Sequence, residues 1–426
     1  MTANPIRDFL IVEEDQSADH DAQVDAILDA VRAHLGMEIA FAARFEGEQR
    51  RFTHIRTELP VPQRPGDCEP VEQSYCHHIL EGRLPELIHD AQDIPFAHEL
   101  AITKALPVGC HISVPLKLKD GSLYGSFCCL SREADHSLTQ RDVNTVKAFA
   151  DLASDQIELA MGKRREREAA VARIEAAIAA GQPAIVYQPI HRLADGGPAG
   201  VEALARFPDR DERPPCDWFN EAAALGVGLE LELAAVRAAL LGVAYLPGDI
   251  YCAINVAPAT ILSGALTAIL ADAPPGRIVL EVTEHAEVES YASLREALAP
   301  LRSRVRVAVD DVGAGYAGLR HILDLEPDIL KLDMGLTRDV HVDPARRALI
   351  AAMVDFAGGI CCRIVAEGVE SAEEAAVLRE LGVDYAQGWH YSKPMPPVAA
   401  QQYLLSGGGA YAPAPPAAAA PARRFA

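Results

Sequence analysis

From Ala184 onward the chain repeats one event: a short run of apolar, often β-branched residues ends at a polar side chain. Eight such runs follow one another: AIVYQ ends at Gln188, GVEALAR carries Glu202 and Arg206, IYCAIN ends at Asn255, and RIVLEVTE carries Glu281 and Glu284. RVAVDD then ends at Asp310 and Asp311, DILKLD carries Lys331, RIVAEGVE carries Glu367, and YAQGW carries Gln387. Ala/Leu-rich stretches with helical spacing separate them, such as EAAALGVGLELELAAVRAALLG and DPARRALIAAMVDFAGG. Strands alternating with helices predict an α/β barrel. In that architecture the polar residues closing successive strands converge at one mouth. The link between the first two runs, HRLADGGPAG, is too short for a parallel crossover, so the first strand is expected antiparallel to the second.

The pattern before residue 182 differs. DAQVDAILDAVRAHLG places Val24, Ile27, Leu28, Val31 and Leu35 on one helical face and stops at Gly36. EIAFAARFEG and RRFTHIRTE read as strands, a short helix is expected around Tyr75 to Glu81, and HISVPLKLKDGSLYGSFCCLSRE reads as a hairpin turning at Asp120-Gly121. A helix from about Thr139 to Met161 closes this part, with Val143, Val146, Phe149, Ala150 and Ile157 as its apolar face. The prediction is an α+β domain, an antiparallel sheet with flanking helices. The segment 161–181 has apolar Val171, Ile174 and Ile178 at helical spacing and reads as a helix joining two domains. From Ser406 the Gly, Pro and Ala content builds no core, and 406–426 is expected to be a disordered tail. The expected division is therefore 1–160, 161–181, 182–405 and 406–426.

Composition narrows the function. The 426 residues are 50% hydrophobic and 23% charged, with 61 Asp and Glu against 39 Lys and Arg and a formal charge of -22. That balance excludes a chain that tracks a nucleic-acid backbone. No run is long and apolar enough for a membrane span or a signal peptide, so a cytoplasmic location away from the membrane is expected. The nine cysteines form no CxxC and read as reduced core residues, neither disulfides nor zinc ligands. Any one polar stop has an ordinary explanation: Glu-Ala-Leu as a helical fragment, Asp-Asp-Val-Gly as a turn, Lys331 as a snorkelling lysine. Their joint placement at strand ends does not, because unpaired charge in apolar surroundings costs several kcal/mol.

Read in order, YQPI (187–190), EALARF (202–207), INVAP (254–258), LEVTE (280–284), DDVGAGYAGL (310–319), LKLD (330–333), AEGVE (366–370) and QGWHYSKPMP (387–396) resemble the EAL domains, phosphodiesterases of cyclic di-GMP. The resemblance spans about residues 170–405. It implies a TIM-like barrel that hydrolyses one phosphodiester of cyclic di-GMP to linear pGpG. It further implies Glu202, Asn255, Glu281 and Asp310 as ligands of one Mg²⁺ or Mn²⁺, and Asp310, Asp311 and Glu367 around a second. Lys331 and Glu367 become catalytic groups acting on the water. Gln188, Leu204, Arg206 and Gln387 match substrate-binding positions, and Glu284 matches a residue anchoring the DDVGAG loop. The chain departs from the family in that loop, with Val312, Ala314, Ala317 and Gly318 where DDFGTGYSSL is usual, which bears on regulation and on the dimer contact. The rival readings are an inactive cyclic di-GMP receptor and an interaction scaffold.

HDAQDIP (89–95), HISVPLKLKDGSLYG (111–125) and LTQRDVNTVKAFADLASDQI (138–157) resemble GAF domains, implying a sensor of unknown ligand that regulates the barrel, with a homodimer as the expected assembly. Cys76-His77-His78 and Cys110-His111 invite a tetrapyrrole reading; core or surface residues without a ligand are the preferred explanation.

Overall fold

The computed structural model describes residues 20–100, 102–103, 108–208, 213–282, 291–313 and 319–408. The chain divides into two compact units, 1–168 and 169–426. The first is built on six antiparallel strands: β1 (Ile39–Glu46), β2 (Gln49–Thr57), β3 (Cys68–Pro70), β4 (Leu87–Ile88), β5 (His111–Lys117) and β6 (Leu123–Leu130), in the order β3-β2-β1-β6-β5-β4. The expected hairpin joins β5 to β6. Strand alternation gives this sheet two apolar faces. One packs Ala40, Ile112, Val114 and Phe127 under helix α1 (His20–Leu35) and the long C-terminal helix, where Val24, Ile27, Val143, Val146 and Phe149 are buried. The other packs Ile39, Phe41, Phe52 and Cys128 beneath helix α2 (Tyr75–Leu80). β3 and β4 are edge strands of three and two residues, too short to carry a period that sequence could show.

The helix expected at 139–161 and the joining helix at 161–181 are one continuous element, α3 (Gln140–Ala179). Its last turns belong to the second unit, where Ile174 is buried with Trp218, Ala222 and Leu231.

The second unit is a closed eight-stranded barrel of β7 (Ala184–Arg192), β8 (Pro198–Arg206), β9 (Tyr251–Val256), β10 (Ile278–Val282), β11 (Val305–Val312), β12 (Ile329–Leu332), β13 (Arg363–Ala366) and β14 (Tyr385–Ala386). β7 runs antiparallel to both β8 and β14, and every other pairing is parallel. The antiparallel first strand thus follows the short-link argument. Alternation sorts each strand into two layers. Ile278, Leu280, Val307, Leu330 and Ile364 pack outward against the helices. Tyr251, Ala253, Val279, Ala308, Ile329 and Val365 fill the barrel interior. Among the described residues no helix is long and apolar enough to cross a membrane.

Candidate functional site: a carboxylate ring around one lysine

One strand step beyond each inner apolar residue, the same face carries a polar one: Asn255 after Ala253, Glu281 after Val279, Asp310 after Ala308, Lys331 after Ile329 and Glu367 after Val365. The registers set them on successive levels: Glu281 is level with Ala308, two residues short of Asp310, and Lys331 is level with Val365, two residues short of Glu367. Glu281 pairs with Asn255, and Lys331 follows Ile329 as Asp310 follows Ala308, its partner across the strands. A polar layer therefore sits directly on an apolar floor. The period of two, together with the parallel register, made it.

Lys331 is the centre of that layer and is 1% exposed. Its Nζ lies 2.7 Å from Glu367 Oε1, 3.0 Å from Glu281 Oε2, 3.0 Å from Asp310 Oδ1 and 3.7 Å from Glu202 Oε1. Four buried or nearly buried carboxylates thus face one ammonium. Burial penalises the Lys331 charge, yet the carboxylates outweigh it and hold the ammonium protonated well above its usual range. Burial pushes Glu281 up, only partly offset by Lys331, and pushes Glu367 up to about 8. For Glu202 burial also acts upward, but Lys331 and hydrogen bonds donated by Gln387 and Asn255 bring it below the ordinary value. Those bonds run from Asn255 Nδ2 to Oε1 at 2.9 Å and from Gln387 Nε2 to Oε2 at 2.6 Å. Gln387 Nε2 also reaches Gln188 Oε1 at 3.0 Å, and Gln188 Nε2 donates to the Ser392 carbonyl.

Asp310 and Asp311 are neighbours on a strand and by simple alternation would point to opposite faces. The ladder between β11 and β12 shifts register between Val309 and Val312, and Asp311 takes a left-handed φ of 56°. Asp tolerates that region better than most residues. The distortion brings oxygens of Asp310, Asp311 and Glu367 within 4.8 Å of one another. Asp310 Oδ1, although close to Lys331, is buried outside hydrogen-bonding geometry. A dense set of oxygen donors with an unsatisfied buried carboxylate oxygen suits hard divalent cations, so Mg²⁺ or Mn²⁺ fits these residues.

Nine of the residues singled out from the sequence meet here: Gln188, Glu202, Asn255, Glu281, Asp310, Asp311, Lys331, Glu367 and Gln387. Leu204 and Arg206 do not join the cluster. They continue the Glu202 face along β8, and at about 3.3 Å per residue Arg206 stands about 13 Å further out. There its guanidinium is exposed and donates to the Ala205 carbonyl. Glu284 lies outside the described residues, as do residues 314–318 of the DDVGAGYAGL motif and 409–426 of the expected tail. Gly388, which sequence reasoning did not single out, sits where a Cβ would strike the Val369 backbone. Only glycine lets the Gln387 turn close onto the Glu367 loop. Nor did the sequence show that Cys76, His111 and Cys128, tens of residues apart, gather in the N-terminal unit.

Comparison with known proteins agrees with this architecture. The chain is 34% identical over 225 residues to the cyclic di-GMP phosphodiesterase RocR of Pseudomonas aeruginosa, covering 49% of this chain and 57% of that protein. It is 31% identical over 244 residues to the probable cyclic di-GMP phosphodiesterase PdeB of Escherichia coli, covering 53% and 45% respectively. The chain thus spans about half the length of these relatives. The crystal structure of an EAL domain protein from Listeria monocytogenes superposes with a TM-score of 0.50 at 26% identity, over 54% of this chain and 96% of that one. The GAF domain family model matches residues 19–157, and the EAL domain model matches residues 171–394. The chain belongs to the EAL domain family, and its N-terminal unit is a GAF domain.

Proposed function

We propose that the barrel hydrolyses one of the two phosphodiester bonds of cyclic di-GMP to give linear pGpG. The observation that carries this reading is Lys331 ringed by four carboxylates at the barrel mouth, in a chain whose relatives include named cyclic di-GMP phosphodiesterases. Glu202, Asn255, Glu281 and Asp310 would hold one Mg²⁺ or Mn²⁺, and Asp310, Asp311 and Glu367 a second. Such ions, when bound, neutralise charge on the attacked phosphate and lower the pKa of a bound water.

The chain's own groups do the rest. Glu367, beside Lys331 at the barrel mouth, would take the proton of the attacking water once bound ions have drawn off its own. The Lys331 ammonium, held charged, orients that water and offsets the repulsion among the surrounding carboxylates. Gln387 and Asn255 fix the rotamer of Glu202 by their donated hydrogen bonds. Arg206, exposed on the same face of β8, would meet a substrate phosphate, with Leu204 beneath it and Gln188 level with Glu202 on the neighbouring strand β7. Glu284 is proposed to anchor the loop after Asp310 and Asp311.

The domain boundaries 1–160, 161–181 and 182–405 go with this reading, as do regulation of turnover by the GAF domain through α3 and action as a homodimer. The test is direct: incubate the purified chain with cyclic di-GMP and Mg²⁺ or Mn²⁺ and follow pGpG. Product formation that Glu202→Ala abolishes supports the enzyme. Tight nucleotide binding with no product in either metal supports the receptor reading instead.

A further inference from the structure

The GAF domain holds a buried cluster that the barrel chemistry does not use. The sulfurs of Cys76 and Cys128 and a ring nitrogen of His111 lie within 4.8 Å of one another. The three residues are 1%, 0% and 1% exposed, respectively. Three elements deliver them: α2 brings Cys76, β5 brings His111 and β6 brings Cys128. Across β5 and β6, Ser113 pairs with Cys128 and His111 with Leu130, so His111, Ser113 and Cys128 share one face of the sheet. Cys129 turns to the other face, against the long helices.

The polar groups around the cluster are nearly complete. Cys76 Sγ lies 3.0 Å from Cys128 Sγ, Arg50 Nη1 donates to Cys76 Sγ at 3.1 Å, and Ser113 Oγ is 3.2 Å from Cys128 Sγ. His111 Nδ1 and Arg50 Nε are buried with no hydrogen-bond partner. A buried imidazole nitrogen without a partner calls for one. Against the cluster lies an apolar cavity of about 40 Å³, lined by His111, Arg50, Tyr75, Phe41 and Phe52 among others. It has room for a water-sized molecule and none for a tetrapyrrole.

We infer that Cys76, His111 and Cys128 form a site for a thiophilic divalent transition-metal ion of the zinc class, with a fourth position left to a water-sized ligand. Two thiolates and one imidazole are a donor set that such ions favour, and three protein ligands are what open sites supply. At a sulfur–metal distance of about 2.3 Å, tetrahedral geometry puts the two sulfurs about 3.8 Å apart, a small adjustment from the observed contact. On binding, each thiol gives its proton to solvent, and the two thiolates neutralise the ion. Arg50 is already neutralised by Glu69, with which it forms an ion pair, and its N–H to Cys76 becomes the outer hydrogen bond that metal-bound thiolates take. The close sulfur contact would also suit a disulfide. That alternative uses the two sulfurs alone, whereas a metal also takes the ring nitrogen of His111 that lies beside them.

The experiment uses the full chain, reduced and stripped with a chelator, titrated with Co²⁺ as an optical probe. The expected result is a thiolate-to-cobalt charge-transfer absorption that saturates at one ion per chain and is displaced by Zn²⁺. The barrel carboxylates, offering only oxygen and amide donors, contribute no such band, so this outcome is independent of the proposed hydrolysis. Cys76→Ser and Cys128→Ser should each abolish the band, His111→Gln should shift it, and the exposed Cys216→Ser should leave it unchanged. Absence of the band in the unmutated chain overturns the site whatever the variants do. So does a band that persists in a folded Cys76→Ser/Cys128→Ser chain, or a mild oxidant linking Cys76 to Cys128 in a chain that takes up no Co²⁺.

Discussion

Replacing Lys331 by methionine, which fills a similar volume without charge, tests the reading of the barrel mouth most severely. The substitution leaves Glu202, Glu281, Asp310 and Glu367 facing one another with no cation among them, where carboxylate oxygens now stand 2.7, 3.0, 3.0 and 3.7 Å from the ammonium. Breaking a buried ion pair by removing one partner costs about 3–5 kcal/mol. At about 2–4 °C per kcal/mol for a domain of this size, the barrel transition of the chelator-treated protein should fall by about 6–20 °C at pH 8. The sign with pH follows from Glu281 and Glu367, both raised in the folded state. A carboxyl whose folded pKa exceeds its unfolded value binds more protons when folded, so stability falls as pH rises between the two values, here from about 4.5 to about 8 for Glu367. Without Lys331 that fall steepens, and the deficit should shrink when the melt is repeated at pH 5. Added Mg²⁺ or Mn²⁺ should recover more of the loss in the variant than in the parent. The assay is thermal unfolding at both pH values with and without metal. A deficit under about 2 °C at pH 8, indifferent to pH and metal, would falsify the claim that the Lys331 charge offsets repulsion among the surrounding carboxylates.

Four further outcomes are expected. Glu202→Gln keeps the shape of the side chain and should fold normally while losing at least about 100-fold in pGpG production; near-normal turnover would remove Glu202 from the metal set. Asp311→Asn tolerates the left-handed backbone and should weaken activation by metal with little change in melting temperature, whereas Asp311→Val at φ 56° should cost about 1–3 kcal/mol in an unfolding experiment. Arg206→Ala should raise KM for cyclic di-GMP more than it lowers kcat, and an unchanged KM would remove this guanidinium from substrate binding. Because Glu367 is raised to about 8, metal binding near pH 7 should release protons, seen as a binding enthalpy that depends on the ionisation enthalpy of the buffer; no buffer dependence would contradict the raised carboxyl.

The acidic excess of the chain is the feature most easily misread. It argues against a chain that tracks a nucleic-acid backbone, yet five of the 61 acidic residues, Glu202, Glu281, Asp310, Asp311 and Glu367, gather at the barrel mouth in a cluster whose electrostatics call for cations. With Lys331 and Arg206, bound divalent ions would reverse the local sign and admit an anionic nucleotide.

The sequence by itself determined the barrel, its antiparallel first strand and the polar stops that form the site. Those are local properties: a period of two, a link too short for a crossover, and motifs written within ten residues. It also carried the helix faces of the GAF domain, because Val24 to Val31 and Val143 to Ile157 repeat at 3.6-residue spacing. What tertiary structure alone decided is convergence. The register of β9 to β13 set Glu281 beside Asn255 and Lys331 level with Asp310. A left-handed Asp311 beside a register shift brought its carboxylate near Glu367, and the rise of β8 carried Arg206 out of the cluster that Glu202 joined. The same holds for Cys76, His111 and Cys128. No spacing announces them, since the distance between a helix and two strands is set by how side chains pack across the sheet.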